Sequence, residues 1–379
     1  MNEKILVFSG SRADYGLLKE IITILKKKSN LFFVCGPQHF SKTFNYTYKE
    51  IINDKLKIDF KINSIVKKTD TKEIIDIVSS SLLETNKYLK KIKPKIAIVL
   101  GDRYETFAFA LCCYLNNIKI AHIHGGEITE GSFDEGLRHS ITKMSDLHFV
   151  SHPEHKKIIK QLGENKKEIF NYGAPGAENA FKMLNKLNKN KIKSSSQKII
   201  VTYHPETKNS KNDILIIKNI FKQIKKFKNY SFYFTSSNSD TGGSTINSMI
   251  NNFCKVNKKN AKNLGSLGHK NFLINLSQAK LLIGNSSSSI IEGSTLSIPA
   301  INIGIRQKGR VKSNNILNSN YDFKSLVKAF KKGIKLDDRK IKKIFLKKNT
   351  SLNISNEIIK FVKDKKRYNE IKKFYKFKK

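Results

Sequence analysis

The stretch KIAIVLGDRYETFAFALCCYLNNIKIAHIHGG (95–126) holds two short apolar runs on either side of a helical pattern. The runs at 95–102 and 118–126 predict buried strands, and the apolar spacing of 105–117 predicts a helix. A strand, a helix and a second strand in this order form a βαβ unit with parallel strands. The stretch therefore predicts a parallel sheet with helices on its faces.

The same alternation continues on both sides of this stretch. Short apolar runs predict further strands at 4–10, 32–36 and 147–151. Apolar residues at helical spacing predict helices at 14–28, 73–92, 135–145 and 153–162. Asp14 suits the capping position of the first of these helices.

A polar, cationic stretch at 185–197 predicts a surface connection near a domain boundary. The pattern of apolar runs then restarts, with strands predicted within 198–207, 231–238, 280–289 and 299–304. We therefore predict two Rossmann-like domains, 1–175 and 176–352. A basic C-terminal helix or tail at 353–379 would follow them.

The charge of the chain is strongly positive, with 72 Lys and Arg against 31 Asp and Glu. Such an excess is typical of nucleic-acid-binding proteins. Only seven of these residues are arginine, however, whereas proteins that bind bases or phosphates favour the planar guanidinium. Lysine spread over the whole chain indicates an ordinary solvated surface, and we predict no specific nucleic-acid partner. Salt-dependent retention on DNA without enzymatic turnover would favour the opposite interpretation.

The apolar run Ile5–Phe8 is too short for the core of a signal peptide, and no stretch reaches the length of a membrane span. We expect a cytoplasmic protein without a membrane partner. The four cysteines form no CxxC pair, so the sequence predicts neither a disulfide framework nor zinc binding.

Polar residues gather where the predicted strands end. The motifs are GSRADYG (10–16), GDRYE (101–105), HGGE (124–127), HPET (204–207) and GNSSSS (284–289). Because ligands of parallel sheets bind beyond the carboxyl ends of the strands, we expect the active site in the cleft between the two domains. Neither half has a clean GxGxxG motif or a Walker lysine, which argues against a nicotinamide site and against an ATPase.

Carboxylates and histidines at these strand ends are candidates for acid–base chemistry. Glu127 and Asp134 lie seven residues apart in the sequence and fit the two sides of one substrate. Asp102 fits a general base, a helix cap or a partner of Arg103. His204 fits a group that protonates or binds a leaving phosphate.

His122 and His124 alternate along a predicted strand, so their side chains point to opposite faces. We predict that one of them packs structurally. We predict no metal site, because no set of residues has the spacing of zinc ligands.

The loop GNSSSSIIEGS (284–294) joins a predicted strand to a predicted helix. A helix start offers free N–H groups to an anion such as a diphosphate, although serine also serves as a plain helix cap. Glu292 lies further into that helix, where a carboxylate can accept hydrogen bonds from ribose hydroxyls. Arg12 and Arg306 each lie in a glycine-bearing loop and fit the charge of a leaving diphosphate.

In order over residues 4–312, the chain resembles the hydrolysing UDP-N-acetylglucosamine 2-epimerases of sialic-acid synthesis. The motifs that carry the resemblance are GSRADYG, LGDRYE, HIHGGEITEGSFDEGLRHSITKMSDLHF, YGAPGAENA, HPET, GNSSSSIIE and INIGIRQKGR. The resemblance implies an α/β fold of two Rossmann-like domains with parallel sheets, as in the B-type glycosyltransferases. It also implies a homodimer that acts on a UDP-sugar without a cofactor or a metal.

The reaction that the resemblance implies has two steps. A base removes the proton at C2 of the sugar while UDP leaves C1, and water then adds to the resulting glycal. The products are UDP and N-acetylmannosamine for sialic-acid synthesis. One alternative is the sister reaction on UDP-N,N′-diacetylbacillosamine, which leads to legionaminic-type sugars. Another is a B-type glycosyltransferase, which would not need this set of carboxylates.

The resemblance also assigns roles to residues of this chain. The catalytic residues that it implies are Asp102, Glu127, Asp134 and His204. The substrate-binding residues that it implies are Arg12, Arg103, Arg138, Phe272, Ser286, Ser287, Ser288, Glu292 and Arg306. Relatives of the non-hydrolysing branch carry an acidic residue at the position of His124, so either His124 or Glu127 takes that acid–base role. Ser289 stands where relatives often have glycine.

Overall fold

The computed structural model describes residues 3–42, 46–63, 71–188, 197–206, 210–238 and 242–376. Contacts within the chain define two compact units. Unit 1 comprises Met1–Glu127, Asp134–Glu178 and Lys347–Lys379, and unit 2 comprises Ile128–Phe133 and Asn179–Leu346. Most of the predicted connection at 185–197 lies outside the described residues.

Unit 1 is built on a seven-stranded sheet in the order β3-β2-β1-β4-β5-β6-β7, and every pair of neighbours is parallel. Its strands are β1 Lys4–Ser9, β2 Asn30–Cys35, β3 Phe60–Lys61, β4 Ile96–Leu100, β5 Lys119–Ile123, β6 Leu147–Val150 and β7 Ile169–Asn171. The six-residue strand β1 shows why helices cover both faces. Ile5 and Val7 belong to the apolar cluster on one face, whereas Leu6 and Phe8 belong to the cluster on the other.

Helices connect these strands. In chain order, the helices that precede β8 are α1 Arg12–Lys28, α2 Tyr48–Asn53, α3 Thr71–Ile92, α4 Tyr104–Leu115, α5 Asp134–Met144, α6 Pro153–Gln161 and α7 Pro175–Asn188. The predicted start of α1 at Asp14 is wrong by two residues. The helix begins at Arg12, and Asp14 accepts a 2.8 Å hydrogen bond from the backbone N–H of Ser11, which precedes the helix.

Unit 2 contains a six-stranded sheet in the order β10-β9-β8-β11-β12-β13, again with parallel neighbours. Its strands are β8 Lys198–Thr202, β9 Ser231–Thr235, β10 Ala261–Gly265, β11 Leu281–Gly284, β12 Ala300–Ile303 and β13 Ile316–Ser319. Its helices are α8 Asp213–Lys226, α9 Gly243–Val256, α10 Gly268–Ser277, α11 Glu292–Thr295 and α12 Phe323–Gly333. Both sheets therefore have the α/β architecture that the alternating pattern predicts.

The C-terminal segment, predicted as a basic helix or tail from residue 353, belongs to unit 1, which includes Lys347–Lys379. Helix α13 (Thr350–Lys363) packs against α1 in unit 1, because Ile354, Ile358 and Phe361 recur at helical spacing and join the apolar cluster there. The short helix α14 (Lys365–Tyr368) follows it. Among the helices of the described residues, none has both the length and the apolar composition that crossing a bilayer requires.

Candidate active site

Asp102 lies two residues beyond the end of β4, at the carboxyl end of the sheet of unit 1. Its carboxylate contacts the guanidinium of Arg138, which projects from α5 and is only 1% exposed. Burial by itself would lower the pKa of Arg138, but the charges of Asp102 and Glu127 raise it above its usual range. The arginine therefore stays charged and holds Asp102 in place.

The same guanidinium reaches two other parts of the site. Its Nη1 donates to the backbone carbonyl of Glu127 at 2.8 Å and to Oε2 of Glu135 at 3.2 Å. Arg138 thus joins the loop after β4, the loop after β5 and the first turn of α5. These three partners of Arg138 all belong to unit 1, and a substrate contact of Arg138 remains a prediction. Asp134, the first residue of α5, is half-buried.

His122 in β5 is a structural histidine. Its Nε2 lies 2.8 Å from the carbonyl oxygen of Gly101, and its Nδ1 lies 3.1 Å from Oγ1 of Thr142. Burial lowers the pKa of His122 to about 3, so the ring is neutral. A Cβ at Gly125 would lie 2.9 Å from the Thr142 hydroxyl, which explains the glycine there. The prediction that one histidine of this strand packs structurally is confirmed.

His124 follows β5 directly and forms a pair with Glu127. Its Nδ1 lies 2.6 Å from Oε1 of Glu127, and the hydroxyl of Ser151 donates to the same oxygen at 3.2 Å. Ser151 in turn lies 3.1 Å from Nδ1 of His155. All four side chains are buried. The loop after β5 therefore carries a hydrogen-bonded chain of titratable groups.

The strand ends of β1 and β4 carry further buried charge. Nε of Arg103 lies 3.3 Å from Oε2 of the buried Glu105. Burial raises the pKa of Asp14 to about 7, against the opposing charge of Arg103. Arg12 is the first residue of α1, and burial lowers its pKa while the charge of Glu50 opposes that shift. The sequence analysis assigned Asp14 no role beyond helix capping and assigned Glu105 no role.

In unit 2, His204 follows β8 and is held by Asn285. The Asn285 side chain accepts from the His204 N–H and donates to the His204 carbonyl, both at 2.8 Å. The backbone N–H of Asn238 donates to Nδ1 of His204 at 3.0 Å. Nδ1 is thus the acceptor, and Nε2 carries the hydrogen of the neutral ring. Asn285 escaped the sequence analysis although it lies inside the GNSSSS motif.

Glu206 is fully buried and shapes the loop that carries Arg306. Its carboxylate accepts from the backbone N–H groups of Ile305 and Arg306 at 2.7 and 3.1 Å, and from the hydroxyl of Tyr321 at 2.8 Å. Gly304 has φ +78°, and a Cβ there would collide with the same carboxylate. Nη1 of Arg306 donates to the carbonyl of Asn285 at 3.3 Å. Glu206 therefore positions Arg306 and was missed at the level of sequence.

The serine loop forms a 3-10 turn rather than the start of a long helix. The turn is Ser287–Ser289, and the hydroxyl of Ser286 accepts from the N–H of Ser288 at 3.4 Å. The helix that follows, α11, has only four residues, and Glu292 is its first residue rather than one further in. Phe272, in α10, is half-buried against an apolar cluster of unit 2. Its role in binding remains a prediction, as does that of the serines.

The described residues contain no group of three or more His, Cys, Asp or Glu side chains that could hold a metal ion. The cysteines Cys35, Cys112, Cys113 and Cys254 are buried and not joined in disulfides.

Parallel α/β sheets with acid, base and hydroxyl groups at their carboxyl ends are typical of enzymes that bind nucleotides. A sequence model of the family "UDP-N-acetylglucosamine 2-epimerase" matches residues 24–359. The chain belongs to this epimerase family, as its resemblance predicts.

Two relatives and one solved structure illustrate the match. A GDP/UDP-N,N′-diacetylbacillosamine 2-epimerase (hydrolyzing) of Campylobacter jejuni is 38% identical over 337 residues, which are 87% of each chain. The polysialic acid biosynthesis protein P7 of Escherichia coli is 33% identical and covers 98% of this chain and 97% of its own. The crystal structure of a UDP-GlcNAc 2-epimerase from Neisseria meningitidis superposes with a TM-score of 0.79 at 18% identity, over 95% of this chain and 100% of that one. The predicted fold, like that of B-type glycosyltransferases, is confirmed.

Proposed function

We propose that this protein is a hydrolysing 2-epimerase of a UDP-linked N-acetylhexosamine. The observation that carries the proposal is the buried network of unit 1, in which Arg138 joins Asp102 to the loop of His124 and Glu127. Removing a proton from a sugar carbon requires a base whose position and charge are fixed. The network supplies such groups from the ends of two neighbouring strands.

The proposed reaction begins with elimination. A base of unit 1 takes the proton from C2, the C2–H electrons form the C1=C2 double bond, and the C1–O electrons leave with UDP. In the second step, water supplies a hydroxyl to C1, and an acid delivers a proton to the opposite face of C2. Asp102, Asp134 and the His124–Glu127 pair are the candidates for these proton transfers. The products are UDP and the free 2-epimeric sugar.

Unit 2 is proposed to bind the nucleotide. The neutral ring of His204 directs its N–H away from Asn238, which suits a phosphate oxygen that gains charge as it leaves. The hydroxyls of Ser286, Ser287 and Ser288 and the guanidinium of Arg306 would complete the diphosphate site. Glu292 would contact the ribose and Phe272 the uracil, while Arg12 and Arg103 of unit 1 would contact the sugar side.

The substrate that we favour is UDP-N,N′-diacetylbacillosamine. Two hydrolysing epimerases with this sugar in their names are relatives, at 38% identity in Campylobacter jejuni and at 27% in Legionella pneumophila. UDP-N-acetylglucosamine is the second candidate. It is supported by a UDP-N-acetylglucosamine 2-epimerase of Neisseria meningitidis, which is 25% identical over 340 residues, 88% of each chain.

We also propose a homodimer located in the cytoplasm. Ile75 and Leu83 of α3 and Tyr114 and Leu115 of α4 are exposed apolar residues on two helices that pack side by side in unit 1. The buried, unpaired cysteines fit a reducing compartment. Sedimentation of the wild type against Leu115→Lys tests the dimer: a monomeric wild type, or a variant that sediments as the wild type does, contradicts it.

The reaction is tested by proton NMR in heavy water with each UDP-sugar, and with the GDP-linked bacillosamine sugar for comparison. The expected result is release of UDP together with a 2-epimeric free sugar that carries deuterium at C2. The faster substrate identifies the sugar. Release of UDP with the original hydrogen kept at C2 would contradict the elimination mechanism and favour a glycosyltransferase or a simple hydrolase.

A further inference from the structure

His124 occupies a backbone conformation that side chains avoid. Its φ is +67°, in the left-handed region, which few residues other than glycine adopt. Glycines follow directly at 125 and 126, so the chain uses glycine freely at this turn. At such a turn a histidine is strained where glycine would not be, so its presence beside two glycines indicates a use for its side chain.

The hydrogen bonds of His124 fix which ring nitrogen carries the hydrogen. Its Nδ1 lies 2.6 Å from Oε1 of Glu127, an oxygen that also accepts from the hydroxyl of Ser151. A carboxylate oxygen accepts, so Nδ1 donates. In the neutral ring the lone pair is therefore on Nε2.

The two histidines of this stretch differ at their second nitrogen. His122 has partners for both nitrogens, from Thr142 and Gly101. His124 is 7% exposed, and its Nε2 is buried without a hydrogen-bond partner among the described residues. Leaving a buried nitrogen unsatisfied is costly, and a ligand that bonded to Nε2 would remove that cost.

We infer that Nε2 of His124 is the base that removes the C2 proton and that Glu127 is its positioning residue. The inference rests on the proposed epimerase function. Nε2 takes the proton, the C–H electrons become the C1=C2 bond, and the C1–O electrons leave with UDP. The hydrogen on Nδ1 stays on the ring, where the charge of Glu127 stabilises the imidazolium. The ring returns its extra proton to solvent before the next cycle.

Substitution of His124 by glycine tests this without adding backbone strain. Glycine and asparagine both tolerate positive φ, so His124→Gly and His124→Asn keep the loop geometry while removing the base. Turnover is expected to fall about a thousandfold in both, with the UDP dissociation constant within twofold of wild type. Imidazole added to the buffer should restore part of the turnover of His124→Gly, because it can occupy the space of the lost ring.

Lys93→Gly provides the matched control. Lys93 is an exposed residue of unit 1 with φ +48° just beyond α3, and it lies before the amino end of β4, whereas Asp102 follows its carboxyl end. The substitution relieves the same kind of backbone strain. Its turnover should equal that of the wild type with and without imidazole.

Glu127→Gln separates positioning from a direct role. The amide still bonds to the ring but brings no charge, so kcat should fall about thirtyfold and the acidic limb of its pH profile should move to lower pH. Arg138, which bonds to the Glu127 carbonyl, and its partner Asp102 are the same in both proteins, as is His155 beyond Ser151. The movement therefore reports the lost charge of Glu127. A limb that does not move would contradict the positioning role.

The outcomes distinguish failure of the epimerase proposal from failure of the role of His124. A wild type that turns over no sugar nucleotide overturns both the epimerase proposal and the role of His124. An active wild type beside a His124→Gly protein within tenfold of its turnover overturns the role of His124 alone. A large loss that imidazole does not restore overturns it as well, because the residue would then be structural.

Discussion

The carboxyl ends of the two sheets differ in how their buried polar groups are satisfied. In unit 1, buried charged groups form ion pairs: Arg138 pairs with Asp102, and Arg103 pairs with Glu105. In unit 2, the buried carboxylate of Glu206 meets backbone N–H groups and a tyrosine hydroxyl. The two sheets share an architecture but not an electrostatic design.

This difference indicates different tasks. Burying a pair of charges is costly. Such pairs suit a reaction that needs charges in fixed positions, as acid–base chemistry does. In unit 2, Glu206 holds the loop of Arg306. His204 and the Ser286 hydroxyl are held by neutral amide and hydroxyl groups, which suits the binding of an anion that arrives with its own charge. The difference supports the proposal that unit 1 carries out the proton transfers and unit 2 binds the nucleotide, and the following substitutions test that proposal.

The largest effect is expected from Asp102→Asn. The amide keeps an oxygen for Arg138 but removes the negative charge, so turnover should fall about a thousandfold. The UDP dissociation constant should stay within twofold of wild type, as measured by calorimetry. A thermal unfolding curve like that of the wild type controls for loss of structure. Weakened UDP binding with near-normal turnover would reverse the assignment of tasks.

Asp14→Asn should reveal the cost of buried charge in unit 1. Burial raises the pKa of Asp14 to about 7 from an ordinary value of 3.8. The protonated carboxyl group of Asp14 stabilises the fold fully below about pH 4. This contribution is lost as the pH rises through 7 and the buried group ionises. Asparagine imitates that form, so the free energy of unfolding at pH 8 should rise by about 2 to 4 kcal/mol, with little change at pH 4. Urea unfolding at both pH values measures this, with the exposed Asp76→Asn as control. An equal gain at both pH values would contradict the explanation.

The central strands could be predicted because they are buried on both faces. Runs such as Ile96–Leu100 and Ile199–Val201 contain only apolar residues, which is the pattern of a parallel strand covered by helices. The strands β10 and β13, with sequences AKNLG and ILNS, form the two edges of the sheet of unit 2 and carry polar residues, so no long apolar run marks them. The edge strands β3 and β7 have only two and three residues.

Several residues of the candidate site could be predicted because they follow a strand. Asp102, His124 and His204 stand directly after apolar runs, and their positions in the sequence identify them. Glu206 acts on Ile305, 99 residues away, and no local pattern reveals such a pair. The family resemblance pointed to Arg138 but not to its partner Asp102, since that contact depends on how α5 packs.

Glu206→Ala is expected to have an intermediate effect. The N–H groups of Ile305 and Arg306 would lose their acceptor, so the loop with Arg306 should no longer hold its shape. UDP should bind about thirtyfold more weakly, whereas kcat at saturating substrate should change less than threefold. Glu206→Gln keeps one acceptor oxygen and should fall between the two proteins. If kcat fell as much as the affinity for UDP, Glu206 would take part in the chemical step, which would contradict the proposed difference between the units.

The smallest effect is expected from Ser286→Ala. The Ser286 hydroxyl accepts from the N–H of Ser288 and from its hydroxyl at 2.9 Å, so its loss removes a cap worth about 1 kcal/mol. UDP should bind about fivefold more weakly with unchanged kcat. Ser277→Ala is the control, because that hydroxyl only bonds within α10, to the carbonyl of Ile274. If Ser286→Ala instead lowered kcat as much as Asp102→Asn does, unit 2 would take part in the proton transfers. The different electrostatics of the two sheets would then have to be explained by folding rather than by a division between chemistry and binding.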